Sequence, residues 1–213
     1  GIIIDDEKLF KKKNIKFFFE LNNKGMKFMK ASNWCERYLN RYPSELIQVN
    51  EIIEGIFTYD ENKINFNLKI ESILQLKVDC IGKLITSILN DSRGWIKVTE
   101  KEFQLVDNVE SDFEFIFASP EKTDELCYPL ETNGIYSCRN EQQIIINFFR
   151  WVNGAIDFGS DLETYRLYLI NHEVGHILEW GHVGCPKEGA LAPVMMQQSL
   201  SLIHISEPTR LSA

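Results

Sequence analysis

Basic residues are scarce in this chain of 213 residues. The 23 lysines and arginines are outnumbered by 31 aspartates and glutamates, so the formal net charge is −8 at pH 7. Nucleic-acid-binding proteins gain affinity by releasing counterions from phosphates, which requires a basic surface. The only basic cluster, Lys11, Lys12 and Lys13 with Lys16 beyond it, is better explained as solvated surface than as a binding patch. Nucleic acid is therefore not an expected partner.

Long hydrophobic runs are also missing. No run of about 18 apolar residues occurs, so no transmembrane segment is expected. The apolar block at residues 17–19 is too short for the core of a signal peptide. Because the chain begins at Gly1 rather than methionine, we expect it to start inside a longer product or after processing. The lack of a visible signal therefore does not settle localisation.

Cysteines are few, and their number is odd. The five lie at positions 35, 80, 127, 138 and 185. At least one of them must lack a disulfide partner within the chain. Cys127 and Cys138 flank a loop-like segment with Pro129 and Gly134, which a disulfide would close; two free thiols are the alternative. A disulfide here would indicate an oxidising compartment.

The domain organisation follows from composition and periodicity. With 44% hydrophobic residues, the chain can bury one ordinary core. Residues 1–48 show little periodicity and are interpreted as an appendage or linker, whereas residues 49–199 form the expected domain. The tail at 200–213, which contains His204, is interpreted as non-native because residues 200–210 resemble a translated sequencing adapter. A genuine polar extension is the alternative.

Hydrophobic periodicity predicts several strands and two main helices. Apolar and polar residues alternate over 64–71, which indicates a half-buried strand, and helical spacing follows over 76–89. Further strands are predicted at 103–107, 112–118 and 143–151, the last of them buried on both faces. A second helix is predicted from Asp161, its N-cap, to Trp180, with Gly181 as the stop.

The second predicted helix carries an H-E-x-x-H motif, at residues 172–176. Residues four apart share one helix face, so His172 and His176 can bind one tetrahedral ion. Glu173 lies one position round the helix, where its carboxylate can act as general base on a water molecule. A zinc ion lowers the pKa of such a water to about 7 and polarises the carbonyl to be attacked. The motif therefore predicts hydrolysis, with Glu173 as the catalytic residue.

A third histidine completes the predicted metal site. A catalytic zinc ion usually takes three protein ligands and keeps one open position. His182 follows His176 by six residues, and Gly181 suits the sharp turn that would bring it to the metal. Three imidazoles favour zinc among the common ions, so one zinc ion is the predicted cofactor. A weaker alternative has Glu188 as the third ligand.

Continued to His182, the motif resembles the H-E-x-x-H-x-x-G-x-x-H sequence of the metzincin superfamily of zinc endopeptidases. Further segments resemble, in the same order, those of an uncharacterised bacterial family. That family is catalogued as a domain of unknown function and is regarded as metzincin-like, secreted and zinc-binding. The segments, all within residues 55–199, are 90–95, Cys127, 137–138, Asn147, 150–151, 165–166 and 185–198.

The resemblance implies an α+β metzincin-like fold, in which a twisted mixed β-sheet packs on two main helices and the second carries the motif. It implies a methionine turn beneath the metal, with Met195 preferred to Met196, and an extracytoplasmic or secreted location. It also implies that Cys185 has lost a downstream partner to the tail. Glu179 departs from the pattern, because metzincins have glycine there; Gly181 would then form the turn, or the third-ligand geometry would differ.

The predicted function is zinc-dependent endopeptidase activity on a peptide or protein substrate. The substrate is expected to lie along an edge strand, at 112–118 rather than at the more apolar 143–149. Arg150, Trp151, Tyr165 and Arg166 are interpreted as packing or ligand-supporting residues, with an oxyanion role for Tyr165 as a minor alternative. Two other functions stay open: hydrolysis of a non-peptide amide such as a cell-wall linkage, and a non-catalytic binding domain.

Overall fold

The computed structural model describes residues 58–74, 76, 78–106, 110–187 and 191–198. The predicted appendage at 1–48, the alternative ligand Glu188 and the tail at 200–213 lie outside these ranges. The described strands are β1 (Ile64–Ile70), β2 (Phe103–Leu105), β3 (Phe113–Ala118), β4 (Cys138–Asn140) and β5 (Gln143–Asn147). The described α-helices are α1 (Val78–Leu89), α2 (Ile96–Thr99), α3 (Pro120–Cys127), α4 (Phe148–Asn153) and α5 (Leu162–Ile177).

The strands form one mixed, mostly parallel sheet in the order β2-β1-β3-β5-β4. The pairs β1–β2, β1–β3 and β3–β5 are parallel, and only β4 runs antiparallel, to β5. Parallel neighbours need crossover connections, and α1 serves as one between β1 and β2. The mixed sheet predicted from the sequence is thus confirmed, but its mostly parallel strands and crossover helix make the architecture mixed α/β rather than α+β.

The main core lies between one face of the sheet and the helices α1 and α5. Residues in register on parallel strands point the same way, so Phe66 lies beside Phe113, and Phe117 beside Ile146. All four side chains are buried. α1 packs on β1 and β2 and also contacts α5, which places the motif helix against the centre of the molecule.

The opposite face of the sheet carries a smaller cluster. Ala118, Cys127, Cys138 and Ile145 are buried together beneath α3. Cys127 and Cys138 form the disulfide that the sequence suggested, with their Cα atoms 6.1 Å apart. The crosslink joins the end of α3 to β4, the strand at one edge of the sheet.

Two predicted boundaries are wrong. The strand predicted at 143–151 ends at Asn147, whose side chain accepts a hydrogen bond from Phe149 N at 2.9 Å and so caps α4. A short apolar run does not distinguish a buried strand from a buried helix, which explains the error. α5 ends at Ile177 rather than Trp180 because Glu179 adopts a left-handed conformation. Within the described ranges, no helix is long and apolar enough to cross a bilayer.

Candidate metal centre

α5 begins at a cap that the sequence predicted. Asp161 accepts a hydrogen bond from Thr164 N at 3.1 Å through one carboxylate oxygen and from Thr164 Oγ1 at 2.8 Å through the other. Such a cap satisfies donors that the first turn leaves without partners. The helix is then continuously buried from Tyr165 to Gly175, so it presents the motif from a fixed position in the core.

The three predicted histidine ligands converge at the C-terminal end of α5. The ligand atoms of His172, His176 and His182 all lie within 4.8 Å of one another. His176 Nε2 and His182 Nε2 are 3.0 Å apart. Two imidazole nitrogens bound to one tetrahedral zinc ion at 2.0–2.1 Å lie about 3.3 Å apart, so this spacing fits a shared metal ion. The trio can therefore hold a metal.

Backbone carbonyls fix the orientation of two of the imidazoles. His172 Nδ1 donates to Val194 O at 2.7 Å, and His176 Nδ1 donates to Trp180 O at 2.9 Å. Because a carbonyl only accepts, each Nδ1 carries the ring proton, and each Nε2 keeps its lone pair for a metal. Carbonyl partners of this kind orient histidine ligands and strengthen their binding.

The environment also favours the neutral imidazoles that metal binding needs. Burial lowers the pKa of His172 to about 4, although its hydrogen bond to Val194 acts in the opposite direction. The pKa of His182 is lowered by partial desolvation and then by the charge of His176. At neutral pH these two rings are therefore unprotonated at one nitrogen and available as ligands.

Glu173 lines the same cleft as the three histidines. Its side chain is buried, with only 6% exposed, and burial raises the pKa of its carboxyl to about 8. A carboxylate in such surroundings is a stronger base than one in water, because the charged form loses hydration. A cation held by the three histidines would lower this pKa, since a nearby positive charge favours the carboxylate, the form that acts as a general base.

Met195 lies directly against the motif helix. It is buried, and a Cβ atom added at Gly175 would overlap its sulfur and come within 2.8 Å of Trp95 Cζ2. Only glycine therefore permits this close approach. Tyr168 of α5 holds the same segment in place, since its hydroxyl donates to Met196 O at 3.0 Å. Both methionines are buried, but Met195 is the one in contact with the motif.

The turn after α5 differs from the sequence prediction. Glu179 itself takes the left-handed conformation, with φ of 67°, whereas Gly181 is not among the glycines with positive φ. Trp180 N donates to Gly175 O at 2.9 Å and closes the turn that leads to His182. The sharp turn that the sequence assigned to Gly181 is thus made at Glu179 instead.

Replacing Glu179 with glycine should stabilise the protein. A non-glycine residue in the left-handed region costs about 1–2 kcal/mol, and the greater freedom of glycine in the unfolded chain offsets about 0.5–1 kcal/mol. We expect Glu179→Gly to raise the free energy of unfolding by about 0.5–1 kcal/mol, measured by urea denaturation. Gly181→Ala is the matched control, because a Cβ there has no neighbour within 4 Å and should not destabilise. Lower stability of Glu179→Gly would contradict the backbone argument.

The histidines open onto a cleft of about 760 Å³. Its walls include α5, the turn that carries Glu179 to His182, and Ser137 to Arg139 around β4. The edge strand at this cleft is therefore β4, and the prediction of 112–118 is wrong. β3 is central, since it pairs with β1 on one side and β5 on the other.

The other predicted site residues divide into two groups. Arg166 is buried and structural, because its Nε donates to Trp151 O at 2.8 Å and its guanidinium lies 4.9 Å from the centroid of the Trp151 ring. Tyr165 is buried against Phe158, and burial raises the pKa of its hydroxyl. Tyr165 and Arg150 both line the cleft, whereas Arg166 does not. Cys185 Sγ donates to Lys187 O at 3.1 Å, beyond the third histidine.

Sequence reasoning missed the groups that support the histidines. The Val194 and Trp180 partners act through backbone carbonyls, which no residue type reveals. Trp95 lies in the segment 90–95, which no local pattern linked to the site, yet its Nε1 donates to Asn171 O at 2.8 Å and its ring centroid lies 5.8 Å from that of Trp180. Trp95 thereby connects the start of α2 to Asn171, just before His172, and to Trp180, two residues before His182.

Fold and site together define an α/β protein with a candidate three-histidine metal centre beside a buried glutamate. Residues 44–211 match the model of a family described as protein of unknown function (DUF3152), and the chain belongs to this family. A comparison with curated proteins gave no match.

Proposed function

We propose that this chain is a zinc-dependent metalloendopeptidase of the metzincin type. The observation that carries the proposal is the convergence of His172, His176 and His182 beside the buried carboxyl of Glu173 in one cleft. A metal site that served only as scaffold would not need a base at that position. Met195 packed under the motif helix and the edge strand β4 beside the cleft support the metzincin type.

Each side chain of the site has a defined task in this proposal. The three imidazoles would hold the ion, and the Val194 and Trp180 carbonyls keep two of them aligned. Zinc would supply Lewis acidity, which acidifies water and polarises a carbonyl. Glu173 accepts the proton of the attacking water and delivers it to the leaving amine. Met195 packs against Gly175 of the motif helix and supports the histidines without acting as a ligand.

The edge strand suggests how a peptide would lie in the cleft. β4 pairs with β5 on one side only, and no described strand occupies its outer side. An extended peptide can add to such an edge through backbone hydrogen bonds. The Cys127–Cys138 disulfide next to this edge supports an extracytoplasmic location.

The experiment that tests the proposal combines metal content with hydrolysis. Purified protein should contain about one zinc ion per chain and cleave casein. A chelator should abolish the cleavage, and stoichiometric zinc should restore it. Zinc binding without cleavage of casein, but with cleavage of peptidoglycan fragments, would support the alternative amide substrate. The absence of both zinc and hydrolysis would refute the proposal.

A further inference from the structure

Arg150 is one of two arginines that line the cleft, and no acidic partner among the described residues explains its charge; the other, Arg139, lies on β4 and donates to Glu141 O. Arg150 lies on α4 and lines the cleft that holds the histidines and Glu173. No carboxylate among the described residues forms an ion pair with it, although Lys63, Lys69, Arg93 and Lys122 each have one. Acidic side chains outnumber basic ones in this chain, whose net charge is −8, so a basic side chain in a cleft would be expected to have an acidic partner.

Comparison with Arg166 shows that Arg150 is not simply structural. Both guanidinium groups lie over aromatic rings, Arg166 over Trp151 and Arg150 over Tyr136 at 5.4 Å. Arg166 is buried, and its Nε is satisfied by Trp151 O. The Nε of Arg150 has no hydrogen-bond partner among the described residues. The only hydrogen bond of its side chain there runs from an Nη to Gly154 O at 3.1 Å.

The partners that Arg150 does have hold it in position without neutralising it. The ring of Tyr136 supports the guanidinium plane, and Gly154 O anchors one edge. An arginine fixed in this way keeps donors in a planar fork, which matches a carboxylate. The positive charge of Arg150 also acts on Tyr165, which lines the cleft: it lowers the pKa of the Tyr165 hydroxyl, whereas burial raises that pKa.

The position of Arg150 relative to the metal centre follows from α5. Glu173, Leu169 and Tyr165 all line the cleft and are spaced four residues apart, so they share one helix face. Eight residues of helix span about 12 Å. Arg150 lies near the Tyr165 end of that face, because it donates to Gly154 O and Gly154 packs beside the Tyr165 ring. An extended peptide rises about 3.3 Å per residue, so a group bound there belongs within roughly three residues of the bond to be cleaved.

We propose that Arg150 is a specificity-determining residue that binds a carboxylate of the substrate within about three residues of the cleavage point. The carboxylate belongs either to an aspartate or glutamate side chain or to a free C-terminus. This inference rests on the proposed peptidase function, because it assumes that a peptide occupies the cleft beside the metal.

The test uses binding of peptide hydroxamates to the zinc-loaded protein, measured by calorimetry. The hydroxamate group binds zinc, and three residues follow it. One set has an amidated C-terminus and a single glutamate at each position in turn, and a matched set has glutamine instead. An all-glutamine compound with a free C-terminus provides the second source of carboxylate. We expect at least one carboxylate compound to bind ten or more times tighter than its neutral match.

Variants then assign the preference to Arg150. Arg150→Gln should remove the preference while binding the neutral compounds as wild type does, and Arg150→Lys should retain part of it. Arg139→Gln tests the other arginine of the cleft, which lies on β4, the proposed peptide-binding edge, and donates to Glu141 O at 2.6 Å. Acidic and neutral compounds share that edge, so any change in binding should affect both alike and leave the preference; loss of the preference in this variant instead of Arg150→Gln would refute the role of Arg150. The comparison of compounds on wild-type protein tests the inference even if Arg150→Gln does not fold.

The outcomes separate this inference from the proposed function. Tighter binding of a side-chain glutamate indicates an acidic residue near the cleavage point, and tighter binding of the free C-terminus indicates removal of short C-terminal peptides. Equal binding of all compounds would refute the role of Arg150 and leave the metal site intact. If no hydroxamate binds the zinc-loaded protein, the proposed function fails first, and this inference fails with it.

Discussion

Glu173→Gln is expected to reduce kcat by about 10²- to 10⁴-fold, the contribution typical of a positioned general base. Glutamine has nearly the same shape as glutamate but does not accept the proton of the attacking water. The three histidines are unchanged, so zinc content should stay at about one ion per chain. Kinetics on a cleaved peptide and metal analysis of the same sample measure the two quantities.

The variant should also fold, which makes the result interpretable. Glu173 is buried, and burial raises the pKa of its carboxyl to about 8, because the charged form loses hydration in the folded state. A neutral amide avoids this desolvation. Glu179→Gln is the matched control, because Glu179 lines the same cleft but is exposed, and it should retain activity. If Glu173→Gln remained fully active with zinc bound, Glu173 would not be the base.

His182→Ala is expected to have the largest effect on metal binding. His182 lies in the turn after α5 and is exposed, so its removal leaves the core packing unchanged. Two imidazoles would remain for an ion that normally takes three protein ligands. The zinc affinity should fall by more than the 10- to 100-fold that follows loss of a supporting partner. Competition with a chromophoric chelator measures this affinity.

The sequence provides a control for this prediction. His204 is the only histidine outside the motif, and His204→Ala should leave zinc affinity unchanged. Unchanged zinc binding in His182→Ala would show that His182 is not a ligand. Glu188, outside the described residues, would then be the next residue to replace. Loss of zinc in both variants would indicate a nonspecific effect of losing imidazole and would contradict the three-histidine assignment.

The parts of the site that the sequence predicted depend on local spacing. The approach of His172 to His176 follows from helical geometry, and Asp161 was identified because capping is a short-range interaction. The strand β1 was predicted with nearly correct ends, since alternation over 64–71 is a strong local signal. These features depend only on residues that are close together in the sequence.

The features that the sequence did not predict depend on distant contacts. β4 has three residues, too few for periodicity, and its place at the edge depends on pairing with β5. Glutamate disfavours the left-handed conformation, yet Glu179 adopts it. The backbone hydrogen bonds from Glu179 N to His176 O and from Trp180 N to Gly175 O stabilise this turn, which leads the chain to His182. The unpaired charge of Arg150 becomes evident only when its neighbours are known.

The Cys127–Cys138 disulfide has a consequence for where such a protein can work. The crosslink joins α3 to β4, and β4 forms one wall of the cleft, whereas the histidines are held by α5 and the following turn. Reduction would therefore loosen the wall along which the proposed peptide substrate binds, while leaving the three histidines in place. If the proposed function holds, a reduced protein would still bind metal but would bind its substrate less well. The redox state of the surroundings would then affect substrate binding through the Cys127–Cys138 bond.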